Sequence, residues 1–379
     1  MIKKLPNVVL WVFLLLLLQN CKQEEISMDL TRDFENMIAE EIDLQHIPAL
    51  AVLIFKENTV LYENYFGYSN VQNRIPLTRD DIFLLASISK VVTATALLQL
   101  FDAGYFALDD PINDYLPFRV SVPNYNQPIT FRMLLTHTSG IADGPLLYTQ
   151  YYYGQDSPTP LHDFLKSYLV PGGAYYNATE NFHDFTPGTN FSYSNAGSAL
   201  IGVLVEQLSN TDFNSYCKKN IFQPLKMNQT YWRLEEAFQA NASIAQPYRF
   251  NNNQYQPIQH YTFTDYPNGG LRSSPRDMHK LLTAFVQNGM SNNYPLLKTS
   301  TINTMLTPQF PTINREVGLH LFLMQATNNL WGHSGSESGV ATILAFNANT
   351  KVGAIIFTNQ KEVNLSDILA EAYALGLKL

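Results

Sequence analysis

Cysteine is scarce in this sequence, with only Cys21 and Cys217 among 379 residues. Cys21 directly follows an N-terminal apolar stretch, so a single thiol is left for the rest of the chain. One thiol can form neither an internal disulfide nor a metal site by itself. We therefore expect Cys217 to be a small buried apolar residue.

Charge is also low, since charged residues make up 15% of the chain and the formal net charge is −8. No stripe of lysine and arginine is present. Such a stripe is what a nucleic-acid-binding protein uses to neutralise phosphates, so we expect no nucleic acid partner. The hydrophobic fraction of 46% indicates instead a well-packed soluble core.

Long apolar runs are absent except at the N-terminus. Lys3 and Lys4 precede VVLWVFLLLLL, a run too short to span a bilayer comfortably but suited to a signal peptide. Cys21 follows, with Asn20 where a small residue is usual, and this order is similar to that of bacterial lipoprotein signals. We predict a lipoprotein signal peptide at 1–20 and a lipidated Cys21 as the mature N-terminus. An uncleaved signal anchor with an incidental cysteine is the alternative.

This N-terminus predicts a location in the cell envelope, with the protein facing the periplasm or the cell surface and anchored by lipid to a bacterial membrane without a transmembrane helix. We expect it to be a monomer. Its expected partners are that membrane and a small-molecule or peptide substrate.

Apolar patterns predict strands near both ends of the chain. ALAVLIF and VLYENYFG near the start, like VATILAF and KVGAIIFTN near the end, have the pattern of strand pairs joined by tight turns. Between about 105 and 265, short helical patterns alternate with loops rich in Pro, Asn, Gly and Tyr. We predict an α/β fold in which one antiparallel sheet is built from both chain ends and flanked by helices.

The predicted domains follow from this pattern. Residues 27–104 and 266–379 form the α/β domain, and residues 105–265 form an inserted, mostly helical and loop-rich domain. A cleft between the two is the expected place for a site.

The motif S-x-x-K occurs twice, at Ser87–Lys90 and at Ser215–Lys218. About one copy is expected by chance in a chain of this length, so context must decide. Ser87 begins SISKVVTATALLQLFDAG, which is hydrophobic enough on most faces to be a buried helix. Ser215 lies in a polar stretch typical of a solvated helix face. Burial lowers the pKa of a lysine until its amine can accept a serine proton, and one helical turn joins Ser87 to Lys90.

Two further motifs follow in order. TPGTNFSYSNAG contains Tyr193-Ser194-Asn195, and WGHSGSESGV contains His333-Ser334-Gly335. With these motifs and their flanking segments, the sequence resembles the penicillin-recognising serine hydrolases, which include class C β-lactamases, DD-carboxypeptidases and related esterases. The resemblance covers nearly the whole mature chain and implies the β-lactamase-like fold.

The resemblance also implies a role for each matching residue. Ser87 is the acylated nucleophile and Lys90 its proton acceptor. Tyr193 relays a proton to the leaving group, and a share in the base role of Lys90 is the alternative for it. The residues implied in substrate binding are Asn195, which also helps to fix Lys90, together with His333, Ser334 and Gly335 on the opposite strand, and the oxyanion hole consists of the backbone N–H groups of Ser87 and Ser336.

We therefore predict a serine acyl hydrolase that forms a covalent acyl-enzyme without metal or cofactor, since the histidines lack metal-ligand spacing. The substrate stays open between a D-amino-acid peptide, a small ester or amide, and a β-lactam. His333 stands where efficient β-lactamases usually have lysine, and a histidine is largely neutral at pH 7. This favours a carboxypeptidase or esterase over an efficient β-lactamase.

Two alternatives to an enzyme remain. The first is a catalytically silent module of the same fold that binds peptidoglycan fragments or penicillin. The second is a surface-attachment lipoprotein that binds through its Tyr-rich loops, such as LLYTQYYYGQDSPTP.

Overall fold

The computed structural model describes residues 28–379. The predicted signal peptide and Cys21 lie outside the described residues. Within 28–379, no helix combines the length and the apolar character that a membrane span needs.

The described chain alternates helices with mostly short strands. The strands are β1 (Ala49–Lys56), β2 (Thr59–Asn70), β3 (Ile75–Pro76), β4 (Phe83–Leu84), β5 (Tyr151–Tyr153), β6 (Thr230–Tyr231), β7 (Tyr248–Asn251), β8 (Gln254–Pro257), β9 (Tyr261–Phe263), β10 (Arg272–Ser273), β11 (Met290–Ser291), β12 (Tyr294–Pro295), β13 (Phe322–Gln325), β14 (Leu330–Glu337), β15 (Val340–Phe346) and β16 (Val352–Thr358). The helices are α1 (28–45), α2 (Ser89–Asp102), α3 (Phe131–Leu135), α4 (Leu161–Leu169), α5 (Asn195–Ser209), α6 (Phe213–Cys217), α7 (Gln223–Leu225), α8 (Leu234–Gln239), α9 (Pro275–Val286), α10 (Thr299–Met305) and α11 (Ser366–Lys378).

The main sheet has seven antiparallel strands in the order β13-β14-β15-β16-β1-β2-β3. Its centre joins the two ends of the described chain, because β1 pairs with β16 and places Leu50 opposite Thr358. The predicted antiparallel sheet assembled from both ends is confirmed.

Strand β1 is buried on both faces, which explains why ALAVLIF is continuously apolar. Its side chains alternate between the faces. Leu50 and Val52 belong to a core that also contains Phe34 of α1 and Ile368 of α11. Leu53 belongs to the larger core on the other face, which includes α2.

Helix α2 is buried along nearly its whole length, as its even hydrophobicity predicts. It begins at Ser89, two residues later than predicted, and Ser87 lies in a preceding 3₁₀ turn, Ala86–Ile88. The reason is Ala86, whose φ of +48° lies outside the right-handed helical region. Ser87 is therefore presented by a tight turn rather than by the helix itself.

Residues 105–265 contribute α3 to α8 and β5 to β9, and none of these strands joins the seven-stranded sheet. This stretch is nevertheless continuous with the rest of the molecule. Helix α5 packs against α2, and both belong to one hydrophobic core. The contact brings the N-terminus of α5 beside Ser87. The division into two domains stays a prediction.

Candidate active site

Ser87 occupies a strained turn beside an open cavity. The positive φ of Ala86 is uncommon for a residue with a side chain, and strain of this kind clusters at functional sites. Ser87 lines a cavity of about 380 Å³ together with Tyr193, Asn195 and Ser336. The structure thus brings four predicted residues, from three segments far apart in the chain, to the same place.

Strand β14 lies directly against the turn that carries Ser87. A Cβ atom at Gly335 would lie 2.3 Å from the carbonyl oxygen of Leu85 and 3.1 Å from Cβ of Ala86. Only glycine permits this approach. This approach brings Ser336 to the same cavity as Ser87. The arrangement is compatible with an oxyanion hole formed by these two residues, and that role stays a prediction.

Lys90 is completely buried, and its amine makes three close contacts. Nζ lies 2.7 Å from Oδ1 of Asn195, 2.8 Å from the main-chain oxygen of Asn268 and 3.1 Å from Oγ of Ser87. A neutral amine has two N–H donors and one lone pair. Because the two carbonyl oxygens can only accept, they take both donors and leave the lone pair for the Ser87 hydroxyl. The geometry therefore fits a lysine that accepts the serine proton.

The charge state of Lys90 is set by opposing effects. Burial lowers the pKa of Lys90 to about 7, while the carboxylates of Asp143, Asp265 and Glu337 act in the opposite direction. Both protonation states are thus accessible near neutral pH. A base that must accept a proton and later return it works best in this range.

Asp143, which no sequence motif indicated, holds the N-terminus of α5. Its carboxylate accepts hydrogen bonds from the backbone N–H groups of Asn195 at 2.9 Å and Ala196 at 3.0 Å, and from Nδ2 of Asn195 at 2.9 Å. A carboxylate at this position is favoured by the unpaired N–H groups and the helix dipole. Asp143 therefore turns Oδ1 of Asn195 towards Lys90.

The predicted double role of Asn195 is only partly visible in this geometry. Its amide contacts Lys90 through oxygen and Asp143 through nitrogen. Binding of the substrate's acyl-side amide stays a prediction, since both polar ends of the side chain already have protein partners.

Tyr193 is held by aromatic and cationic neighbours. Its ring stacks on His137 with centroids 4.4 Å apart, and Nζ of Lys90 lies 4.9 Å from the ring centroid. The Tyr193 hydroxyl has no hydrogen-bond partner among the described residues. Burial raises the pKa of Tyr193, and the nearby Ser87 hydroxyl opposes this more weakly. The phenol is therefore neutral at physiological pH, which makes it a proton donor rather than the base.

His333 is buried on β14 beside Tyr193, with ring centroids 6.3 Å apart. Its Nδ1 lies 2.6 Å from the main-chain oxygen of Ser334. Burial, followed by the charge of Lys90, lowers the pKa of His333 to about 3. The ring is therefore neutral, and position 333 offers no fixed cation to a substrate carboxylate.

Ser334 is exposed, as is Ser336. Unlike Ser336, however, and like His333 and Gly335, it is not among the residues that line the cavity with Ser87. The structure therefore does not bring the Ser334 side chain to the nucleophile.

Ser215 of the second S-x-x-K copy lies on the solvated face of α6, as its polar flanks predict, although the other residues of this short helix are buried. Ser215 is exposed, and Lys218 forms an ion pair with Glu236 at 2.7 Å.

Cys217 is fully buried. A larger cavity of about 620 Å³, lined in part by Gln99, contains none of the predicted site residues.

Comparison with known proteins places the whole arrangement in one family. The chain matches the Beta-lactamase family over residues 34–377. It is 28% identical over 367 residues to "Beta-lactamase-like protein 4" of Dictyostelium discoideum, covering 90% of this chain and 61% of that protein. It is 22% identical over 340 residues to "Protein flp" of Staphylococcus aureus, covering 88% of this chain and 64% of that protein. The chain spans less than two thirds of the length of either relative.

Solved structures agree with this assignment. An octameric penicillin-binding protein homologue from Pyrococcus abyssi is 26% identical, with a TM-score of 0.72 over 92% of this chain and 77% of that one. A penicillin-binding protein from Bacillus halodurans, 24% identical, has the same fold, with a TM-score of 0.71 over 89% of this chain and 98% of that one. The chain therefore has the β-lactamase-like fold and belongs to the Beta-lactamase family.

Proposed function

We propose that the protein is a serine acyl hydrolase that works through a covalent acyl-enzyme on Ser87. One observation carries the proposal: Lys90 is fully buried, both N–H donors of its neutral amine face carbonyl oxygens, and its Nζ lies 3.1 Å from Oγ of Ser87. A structural lysine would be paired with a carboxylate instead.

Acylation follows from these positions. The Ser87 hydroxyl gives its proton to Lys90 while Oγ attacks the substrate carbonyl carbon, and the N–H groups of Ser87 and Ser336 stabilise the resulting oxyanion. When the tetrahedral intermediate collapses, the bond to the leaving group breaks. Tyr193 donates its proton to the departing atom and is reprotonated by Lys90.

Deacylation reverses the roles. Lys90 accepts a proton from a water molecule whose oxygen attacks the acyl carbon. The ester bond to Ser87 then breaks, Oγ recovers a proton from Lys90, and the acid product leaves. The enzyme returns to its starting protonation state.

The substrate in this proposal is a D-amino-acid peptide, a small ester or amide, or a β-lactam. The neutral, buried His333 supports a carboxypeptidase or esterase over an efficient β-lactamase. A substrate carboxylate would find no permanent charge at this position.

Labelling with a fluorophosphonate probe tests the proposal. We expect the wild-type protein to gain the mass of one probe, and peptide mapping to place it on the fragment that contains Ser87, because only an activated serine attacks the probe. The heat-denatured protein serves as the control. A silent binding module or a surface-attachment protein would take no label. Absence of label, or label on the fragment containing Ser215, contradicts the proposal.

We propose further that the protein is a monomer held at a bacterial membrane by a lipid on Cys21. The basic start and short apolar run before Cys21 support this placement. In a bacterial host, we expect the wild type to fractionate with membranes and the Cys21→Ser variant to lose both processing and membrane association. Unchanged fractionation of that variant would favour an uncleaved signal anchor.

A further inference from the structure

A narrow recess adjoins the cavity that Ser87 lines. Its volume is about 20 Å³, and a volume of about 10–15 Å³ is enough to hold one water molecule. The two spaces share Tyr148, Tyr151, Asn195, Asn268 and Glu337 as lining residues. A substrate held at Ser87 can therefore extend one small group, the size of a water molecule or an ammonium, into the recess.

Two carboxylates line the recess, and protein contacts hold both in place. Asp265 is buried and accepts a hydrogen bond from Nδ2 of Asn268 at 2.6 Å. Glu337 accepts from the hydroxyl of Tyr151 at 3.1 Å and from the N–H of Ser338 at 2.8 Å. Neither carboxylate forms an ion pair with lysine or arginine anywhere in residues 28–379. The two carboxylates are thus held in position without a direct ion pair.

Aromatic rings complete the recess. Tyr148, Tyr151 and Phe263 line it, and the rings of Tyr151 and Phe263 lie 5.7 Å apart. The faces of such rings attract a cation and offer nothing to an anion. Rings combined with carboxylates select a small positively charged group over a neutral or negative one.

We propose that this recess binds the protonated primary amine of the substrate, so that the preferred acyl donors are aminoacyl esters, amides or peptides with a free amino group near the scissile carbonyl. This inference rests on the proposed hydrolase function and deepens it. Lys361, a cation on the rim, lines the larger cavity but not the recess.

Binding of the amine also assists Lys90. The carboxylates of Asp265 and Glu337, together with that of Asp143, favour the protonated form of Lys90. A bound ammonium offsets part of this negative charge and so favours the neutral amine that acylation needs. The substrate would thus help to prepare the base that attacks it.

The test compares alanine, N-acetylalanine and N-succinylalanine p-nitroanilides in both enantiomers. For one of the two enantiomers, we expect kcat/KM of the alanine p-nitroanilide, which has a free amine, to exceed that of the N-acetylalanine p-nitroanilide by about tenfold or more. This is roughly the effect of one well-formed charged contact. Glu337→Gln should bring this ratio close to one. Glu362→Gln, at an exposed position outside the recess, is the matched control and should leave the ratio unchanged.

Three outcomes would overturn the inference. The first is an amine preference that survives Glu337→Gln, and the second is no amine preference at all. The third is that the succinyl substrate is turned over fastest and loses this advantage in Lys361→Ala, which would mean that the rim binds a substrate carboxylate instead.

A binding measurement separates this inference from the hydrolase proposal. Calorimetry on the Ser87→Ala variant should show tighter binding of alaninamide than of N-acetylalaninamide, and it needs no turnover. Fluorophosphonate labelling without any amine preference would refute the recess alone. Amine binding without labelling would refute the hydrolase alone.

Discussion

Replacing Ser87 by alanine is expected to lower kcat/KM for an activated ester by a factor on the order of 10⁴ or more, because the covalent intermediate can no longer form. The Ser87 hydroxyl lies 3.1 Å from the buried Lys90 amine, and Ser87 lines the open cavity. Steady-state kinetics, with intact-mass detection of the acyl-enzyme, measure the loss. The fold should survive, since alanine removes one oxygen from a half-buried residue.

The second S-x-x-K copy supplies the control for this experiment. Ser215→Ala changes an exposed serine on α6 and should leave kcat/KM within about twofold of the wild type, as surface changes away from a site usually do. A large loss in Ser215→Ala with retained activity in Ser87→Ala would reverse the assignment of the nucleophile.

Much of the fold is encoded in local sequence patterns. Continuous apolar runs predict β1 and β16 because both faces of these strands are covered, and a strand of this kind needs no alternation. The position of Ser87 was less well predicted, because the left-handed φ of Ala86 starts the helix later than its hydrophobic pattern suggests. Alanine carries no local signal for such a conformation, and the close packing of Gly335 against this turn appears only in the folded chain.

The site was only partly predictable for a related reason. Residues within motifs could be found, but Asp143 and the main-chain oxygen of Asn268 act through contacts between segments far apart in the chain. Asp143 stands in a loop with no periodic pattern, and its role appears only when α5 is placed against it. The recess beside Ser87 depends in the same way on Asp265 and Glu337, which come together only in the folded chain.

Replacing Lys90 by methionine is expected to lower kcat/KM for the same ester by about 10²- to 10⁴-fold, the usual contribution of positioned proton transfer. Methionine is unbranched and of similar length, so it fills the space of the buried lysine while removing the base. Lys218→Met, which removes the half-exposed lysine of the second motif, is the matched control. Thermal unfolding of each variant checks that the fold is intact, because methionine leaves the acceptors on Asn195 and Asn268 unpaired.

The pH dependence of the wild type shows whether Lys90 acts as the base rather than as a structural cation. Its pKa is lowered to about 7, so the active neutral amine predominates above this pH and the inactive ammonium below it. We expect kcat/KM for a neutral ester to rise with pH, with an inflection near pH 7, and then to reach a plateau. At one pH unit under the inflection, kcat/KM should be about one tenth of its plateau value. Asp265, whose pKa burial raises to about 7, titrates in the same range, so the inflection belongs to the coupled pair.

In Lys90→Met the residual activity should lose this inflection. A wild-type profile that falls as pH rises would mean that the protonated lysine is the active form, and Lys90 would then bind the oxyanion or the leaving group instead of activating Ser87.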